Sequence, residues 1–156
     1  KIGSLDFKTI FIPGHTSGHI AFYLEKEKVI FTGDTLFSLG CGRVFEGTCE
    51  EMFSSLKKIK SLPEDTKIYC GHEYTKNNFE FCFKFNPNND HLKDKQKEID
   101  SKIKDGKPTI PSTIKEEIKT NIFLRYDDLD VKGTLNLKNA SDLEIFSKLR
   151  DLKDNF

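Results

Sequence analysis

Three glycine-punctuated runs constrain this chain more than any other feature: Gly14-His15-Thr16-Ser17-Gly18-His19, Thr32-Gly33-Asp34-Thr35 and Cys70-Gly71-His72-Glu73-Tyr74. Each follows an apolar, strand-like segment. Each offers one good ligand for a borderline metal: His15, Asp34 and His72. Imidazole nitrogen and carboxylate oxygen are the usual non-sulfur ligands of catalytic zinc. Strand ends that meet at one edge of a sheet would therefore assemble part of a metal site. A second cluster of histidines is absent from these residues, so only half of a two-metal site is expected here.

The first part of the chain alternates strand and loop. Residues 5–13 read as a strand ended by Pro13-Gly14, Ile20–Leu24 as a second, and Val29–Thr32 as a third, apolar enough to be buried on both faces. Gly40, Gly42 and Gly47 mark residues 38–47 as a loop. Thr48 with Glu51 forms a capping box that opens a helix burying Met52, Leu56 and Ile59. Lys67–Cys70 is a fourth strand. The β-β-β-α-β order implies a layered α/β architecture. After Tyr74 the pattern turns helical. Phe79, Cys82 and Phe83 mark one helix; a stripe of Leu92, Ile99 and Ile103 marks a charged second helix over 90–104. Capping boxes at Thr113/Glu116 and Ser141/Glu144 open two more, the last burying Ile145, Leu149 and Leu152. The expected division is residues 1–75 and 76–156.

Composition excludes some partners. Lys+Arg and Asp+Glu are both 25, so a balanced net charge argues against nucleic acid or an anionic membrane. No apolar run reaches the length of a membrane span. Hydrophobic residues are only 36% of the chain, which leaves the 14 Phe to supply much of the core. Cys41, Cys49, Cys70 and Cys82 show no CxxC spacing and read as reduced thiols, with the cytosol as the default compartment. An organelle is the alternative if a transit segment preceded Lys1. With strand-like sequence at once and no Met at its start, the chain reads as the inside of a longer protein. Cys41 lies in a tight Gly turn and is not expected to be a nucleophile.

Each candidate ligand has a plainer explanation. A loop histidine is more often structural than ligating. Asp34 could close an Asx turn, and His72 could merely start a helix. His19 is read as orienting the loop of His15, and His91 as a solvated helix residue. Asp34 has two oxygens, so it is the natural ligand to be shared by two ions.

The combination is more specific than its parts. The order His15…Asp34…His72, each behind a strand, resembles the metallo-β-lactamase superfamily, and within it glyoxalase II, the hydroxyacylglutathione hydrolases. Further runs carry the likeness: Gly40-Cys41-Gly42-Arg43, Phe45-Glu46-Gly47-Thr48, Pro108–Thr113 and Leu149–Asp154. The resemblance implies the C-terminal half of an αββα sandwich followed by a mostly helical substrate-binding region. It implies hydrolysis of S-D-lactoylglutathione, or a related 2-hydroxyacylglutathione, to D-lactate and glutathione, with water activated by two divalent cations. Zinc, iron and manganese all suit the ligands. By this likeness His15 serves one ion, His72 the other, and Asp34, the catalytic carboxylate, bridges them. Arg43, Tyr74, Arg150 and Lys153 are the implied substrate contacts. Phe45 departs from the pattern, since many members have Tyr there. The family's first metal motif, a His-x-His-x-Asp-His run, does not occur in this sequence, so this polypeptide alone is expected to be inactive and to bind metal weakly. Two other readings share these residues: a mononuclear iron persulfide dioxygenase of the same fold, and a non-catalytic binding module. The sequence is silent on oligomeric state.

Overall fold

The computed structural model describes Lys1 and residues 3–156. Five strands form one sheet in the order β1 (Lys8–Phe11), β2 (Ile20–Leu24), β3 (Val29–Gly33), β6 (Lys67–Cys70) and β7 (Ser112–Thr113). A small hairpin of β4 (Leu36–Phe37) and β5 (Gly40–Cys41) lies inside the expected glycine loop. The helices are α1 (Cys49–Lys60), α2 (Thr75–Phe85), α3 (Asp90–Lys104), α4 (Ile114–Thr120), α5 (Leu129–Thr134) and α6 (Asp142–Asp154). No helix among the described residues is long and apolar enough to cross a membrane.

Strand direction decides where the three glycine runs end up. β1 is antiparallel to β2 and β2 to β3, so β1 and β3 point the same way. β6 is parallel to β3, joined to it through α1. The carboxyl ends of β1, β3 and β6 therefore open on one edge of the sheet, the usual place for a site in such sheets. The β3/β6 register shifts between Phe31 and Gly33. That bulge at the last step of β3 re-aims the chain just before Asp34.

The two faces of the sheet differ. Ala21, Tyr23, Ile30 and Ile68 are buried on one face, with Met52, Leu56 and Ile59 of α1 in the same core. The other face carries Phe11, Ile20, Phe22, Phe31 and Tyr69, all exposed. Phe31 pairs with Phe22 on one side and stacks on Tyr69 on the other, ring centroids 5.5 Å apart. A solvated sheet face ordinarily alternates to polar residues, whereas this one is an aromatic row. The expectation that β3 is buried on both faces is corrected accordingly: Phe31 is 42% exposed because, among the described residues, no second layer covers it.

All three capping boxes form, at Thr48/Glu51, Thr113/Glu116 and Ser141/Glu144. The stripe expected on α3 is corrected at one position. Leu92 and Ile99 are buried, but Ile103 is 46% exposed, and Lys95 takes the inner face instead. Burial pulls the Lys95 ammonium down, yet Glu98 and Glu116 beside it raise its pKa overall. The helical part packs around the fully buried rings of Phe81, Phe123 and Phe146, with Phe81 stacked on Phe123 at 5.7 Å. It is tied to the sheet by β7 and by one continuous core.

A buried polar pair on α4 fastens the β4–β5 hairpin. The Leu39 N–H donates to Glu117 Oε2 at 2.9 Å, and Asn121 Nδ2 donates to the same oxygen at 2.9 Å and to the Gly40 carbonyl at 3.0 Å. Burial pushes the Glu117 carboxyl up from its ordinary range. The native protein thus holds that proton more tightly than the unfolded chain does. The stability it lends is fully present below the ordinary carboxylate pKa and is lost as pH rises through the raised value. Glu117→Gln keeps an oxygen for the Leu39 N–H and removes the charge. Its thermal midpoint should exceed that of the unmodified protein at neutral pH and converge with it below about pH 4. A lower midpoint at neutral pH would contradict the assignment.

Candidate metal centre

Asp34 stands at the centre of the site. His15 Nε2 lies 3.5 Å, and His72 Nε2 3.4 Å, from the Asp34 carboxylate. Both imidazoles face the same oxygen, Oδ2, rather than one oxygen each. Among the described residues no hydrogen-bond donor satisfies this partly buried carboxylate. The two separations exceed a charge-assisted hydrogen bond, which closes to about 2.7–2.9 Å. They match two donors of one tetrahedral ion, which at metal–ligand lengths near 2.0–2.1 Å stand about 3.4 Å apart.

The backbone around Asp34 leaves no room for larger residues. A Cβ on Gly42 would strike the Asp34 carbonyl oxygen and come within 3.3 Å of His15 Nδ1. A Cβ on Gly71 would strike Asp34 Oδ1. Gly42 lets the hairpin close onto the Asp34 backbone, and Gly71 lets the loop after β6 close onto its carboxylate.

His15 and Asp34 are oriented from behind. His15 Nδ1 lies 2.9 Å from the Arg43 carbonyl, which makes it the protonated nitrogen and leaves the Nε2 lone pair facing Asp34. The Asp34 N–H lies 3.3 Å from His19 Nε2, which is also 3.4 Å from the Thr32 carbonyl, and His19 Nδ1 lies 3.4 Å from Thr16 Oγ1. His19 accordingly holds the Asp34 backbone. The loop of His15 is also gripped from outside. Glu46 Oε2 accepts from the Ser17 N–H at 2.9 Å and from its hydroxyl at 3.2 Å. Those bonds to Ser17, the backbone one first, draw the Glu46 carboxyl below its usual range.

A cleft of about 720 Å³ opens beside the site, and His15, Asp34, His72, Arg43, Tyr74, Arg150 and Lys153 all line it. Tyr74 stacks on His72, centroids 4.8 Å apart and planes 13° apart, and meets Phe37 edge-on. Phe45 lies over the His15 ring at 5.2 Å. His91 lies on α3, outside the cleft. Burial pushes the Cys41 thiol up to about 11, partly opposed by Arg150, which suits an inert residue in the cleft wall.

The two basic residues of α6 differ. Arg150 is 3% exposed; its Nη1 donates to the Cys41 carbonyl at 2.8 Å and its Nη2 to Asp154 at 2.9 Å. Arg43 shares that acid, its Nε 3.5 Å from Asp154. Lys153 instead donates to the neutral Asn77 side chain at 2.6 Å, and burial lowers its pKa. The cation least compensated by a neighbouring acid is therefore Lys153, while Arg150 braces the hairpin.

Among the described residues, no group of three or more His, Cys, Asp or Glu forms a complete cage for an ion. His15 with Asp34, and His72 with Asp34, are two partial donor sets. Glu46, part of a run that carries the family likeness, and Asn78, which has no sequence signal, belong to the surroundings of this site through contacts that the sequence does not announce. Glu46 meets a partner 29 positions away, and Asn78 donates to the Ser38 carbonyl 40 positions away, so spacing carried no signal for either.

Known proteins resemble this chain. The family model described as hydroxyacylglutathione hydrolase C-terminus matches residues 73–156, and that described as metallo-beta-lactamase superfamily matches residues 1–72. The hydroxyacylglutathione hydrolase of Pelagibacter ubique is 59% identical over 149 residues, 96% of this chain and 56% of its own length. That of a Chelativorans species is 47% identical over 156 residues, 100% of this chain and 61% of its own length. The chain thus spans less than two thirds of either hydrolase. The solved structure of ETHE1 from Myxococcus xanthus superposes with a TM-score of 0.59 at 23% identity, covering 97% of this chain and 48% of that one. That likeness speaks to the fold alone.

Gly71→Ala should displace the Asp34 carboxylate. Changes that disturb the support of a metal ligand cost about 10–100-fold in metal affinity, and a loss of that size is expected in chelator competition with the full-length protein, with Tm nearly unchanged. Unaltered affinity would show that the carboxylate does not hold the ion.

Proposed function

The chain belongs to the hydroxyacylglutathione hydrolase family, within the metallo-β-lactamase superfamily, and on that premise we propose that the protein carrying it hydrolyses 2-hydroxyacyl thioesters of glutathione. S-D-lactoylglutathione is the foremost substrate, yielding D-lactate and glutathione. The observation that carries this reading is a single cleft. It joins an Asp34 oxygen flanked by two imidazoles to a cationic wall built from Arg43 and Lys153.

His15 would hold one divalent cation, His72 a second, and Asp34 both. When bound, such a pair makes water acidic enough to supply a nucleophile near neutral pH and polarises the thioester carbonyl. Zinc, iron or manganese suits mixed imidazole and carboxylate donors. The residues of this chain position everything else. His19 and the Arg43 carbonyl fix Asp34 and His15, and Gly42 and Gly71 allow close approach. Tyr74 and Phe37 wall the cleft beside His72. Lys153, paired only with a neutral amide, suits a carboxylate of the glutathione moiety. Arg150 supports that wall through the Cys41 carbonyl, and Arg43 adds positive charge at the mouth. A thiolate is a good leaving group, so no strong general acid is required.

Two donors per ion are too few for a catalytic site, which uses about three protein ligands. The remaining ligands come from the part of the protein beyond these residues, as does the layer that covers the aromatic row of Phe11, Phe22, Phe31 and Tyr69. The four unpaired cysteines agree with a reducing compartment, the cytosol.

The full-length protein, loaded with zinc and given S-D-lactoylglutathione, should release glutathione, while the 156-residue chain alone should show no turnover. Turnover by the isolated chain, or none by the full-length protein, would overturn the reading. Within the full-length protein, Lys153→Ala should raise KM about tenfold with kcat nearly kept, since it removes binding and not chemistry. Arg150→Ala should lower kcat as well, because it releases the hairpin that packs on Asp34.

A further inference from the structure

Glu73 follows His72 directly, yet its side chain turns away from the cleft and binds a distant segment. Its Oε1 accepts from the Thr109 N–H at 3.0 Å and from the Ile110 N–H at 3.2 Å. Its Oε2 accepts from the Thr109 hydroxyl at 2.5 Å. That hydroxyl also lies 2.6 Å from the Thr75 hydroxyl. A hydroxyl carries one proton, so the chain of donors runs from Thr75 to Thr109 to the carboxylate. Thr75 and Thr109 are both buried.

The place of this knot in the fold gives it a purpose. β7 pairs with β6 only at Lys67↔Thr113 and Ile68↔Ser112. Pro111 then has no N–H to donate, and the ladder stops. The next two N–H groups, of Ile110 and Thr109, have left the sheet edge. Glu73 takes both, so its carboxylate continues the β6–β7 connection past the point where the strands part. His72 sits within that gap, two residues beyond the end of β6. On its near side Gly71 is held by the bond from its N–H to the Gly33 carbonyl, 2.9 Å. On its far side the first tie is Glu73.

We propose that Glu73 is the positioning residue of His72. By clamping the loop after β6 to Thr109 and Ile110 of the helical region, it fixes the His72 ring against Asp34 and Tyr74 in its stack. The proposal rests on the reading of His72 as a metal ligand. It makes the segment before β7 a support of one half of the metal centre, distinct from the cleft residues that meet substrate.

The test compares Glu73→Ala, Glu73→Gln and His72→Ala in the full-length protein. Three quantities are read: amide exchange at Thr109 and Ile110, the affinity of each of the two zinc equivalents by chelator competition, and KM against kcat. Glu73→Ala should speed exchange at both amides about tenfold or more, as expected when a local tie is lost. It should weaken one zinc equivalent about 10–100-fold and leave the other unchanged. kcat should fall while KM stays. Glu73→Gln retains a carbonyl oxygen for the two N–H groups and should restore most of both effects. Should the alanine variant fail to fold, Glu73→Asp, too short to span the gap, carries the same comparison. Faster exchange with both zinc equivalents and kcat unchanged would overturn the proposal, leaving Glu73 a tie of the fold alone. Unchanged exchange in Glu73→Ala would overturn it as well. If His72→Ala keeps both zinc equivalents, the ligand reading fails by itself. If His72→Ala loses one and Glu73→Ala loses none, only the positioning role fails.

Discussion

A carboxylate without a hydrogen-bond donor, set between two imidazoles, is the interaction on which this structure turns. Asp34 lines the cleft with its side chain 27% exposed, and the two histidines stand too far from it for good charge-assisted hydrogen bonds. On the reading proposed above, cations would occupy the space between them. Much of the surrounding architecture serves that one oxygen. The bulge at the end of β3 turns Asp34 toward the edge, Gly42 and Gly71 admit their neighbours, and His19 holds the Asp34 N–H.

The helical part is bonded directly to the loops at the edge of the sheet. Arg150 reaches from α6 to the carbonyl of Cys41, and Glu117 and Asn121 reach from α4 to the same hairpin. Thr109 and Ile110 reach Glu73 beside His72. Bonds between the helical part and the sheet edge thus brace the loops of the ligand candidates, using backbone groups that strand pairing leaves free. The helix that places Lys153 at the cleft is also the one that holds the hairpin, so the substrate wall and the metal site proposed above would be mechanically joined.

The sequence made the strands, the three capping boxes and the three ligand candidates legible, because each depends on local spacing. A glycine beside a ligand, a threonine three residues before a glutamate, and an apolar run of strand length all act within a few positions. What the spacing of residues could not reveal acts at long range. The buried Lys95 on α3 depends on Glu116 across the helix pair, and Ile103, which fits the periodic stripe, is left 46% exposed. The β4–β5 hairpin was hidden because its strands are two residues each. Arg150 and Lys153 look alike in sequence, and only the position of Asp154 separates a brace from a free cation. The exposed face of β3 was misjudged for the opposite reason: its apolar residues anticipate a layer that these residues do not contain.

The most direct test is anomalous diffraction from crystals of the full-length protein loaded with zinc. Two peaks are predicted, one between Asp34 and His15 and one between Asp34 and His72, with the carboxylate common to both. Zinc seated away from Asp34, with both imidazoles closed onto the carboxylate as direct hydrogen bonds, would contradict the central claim.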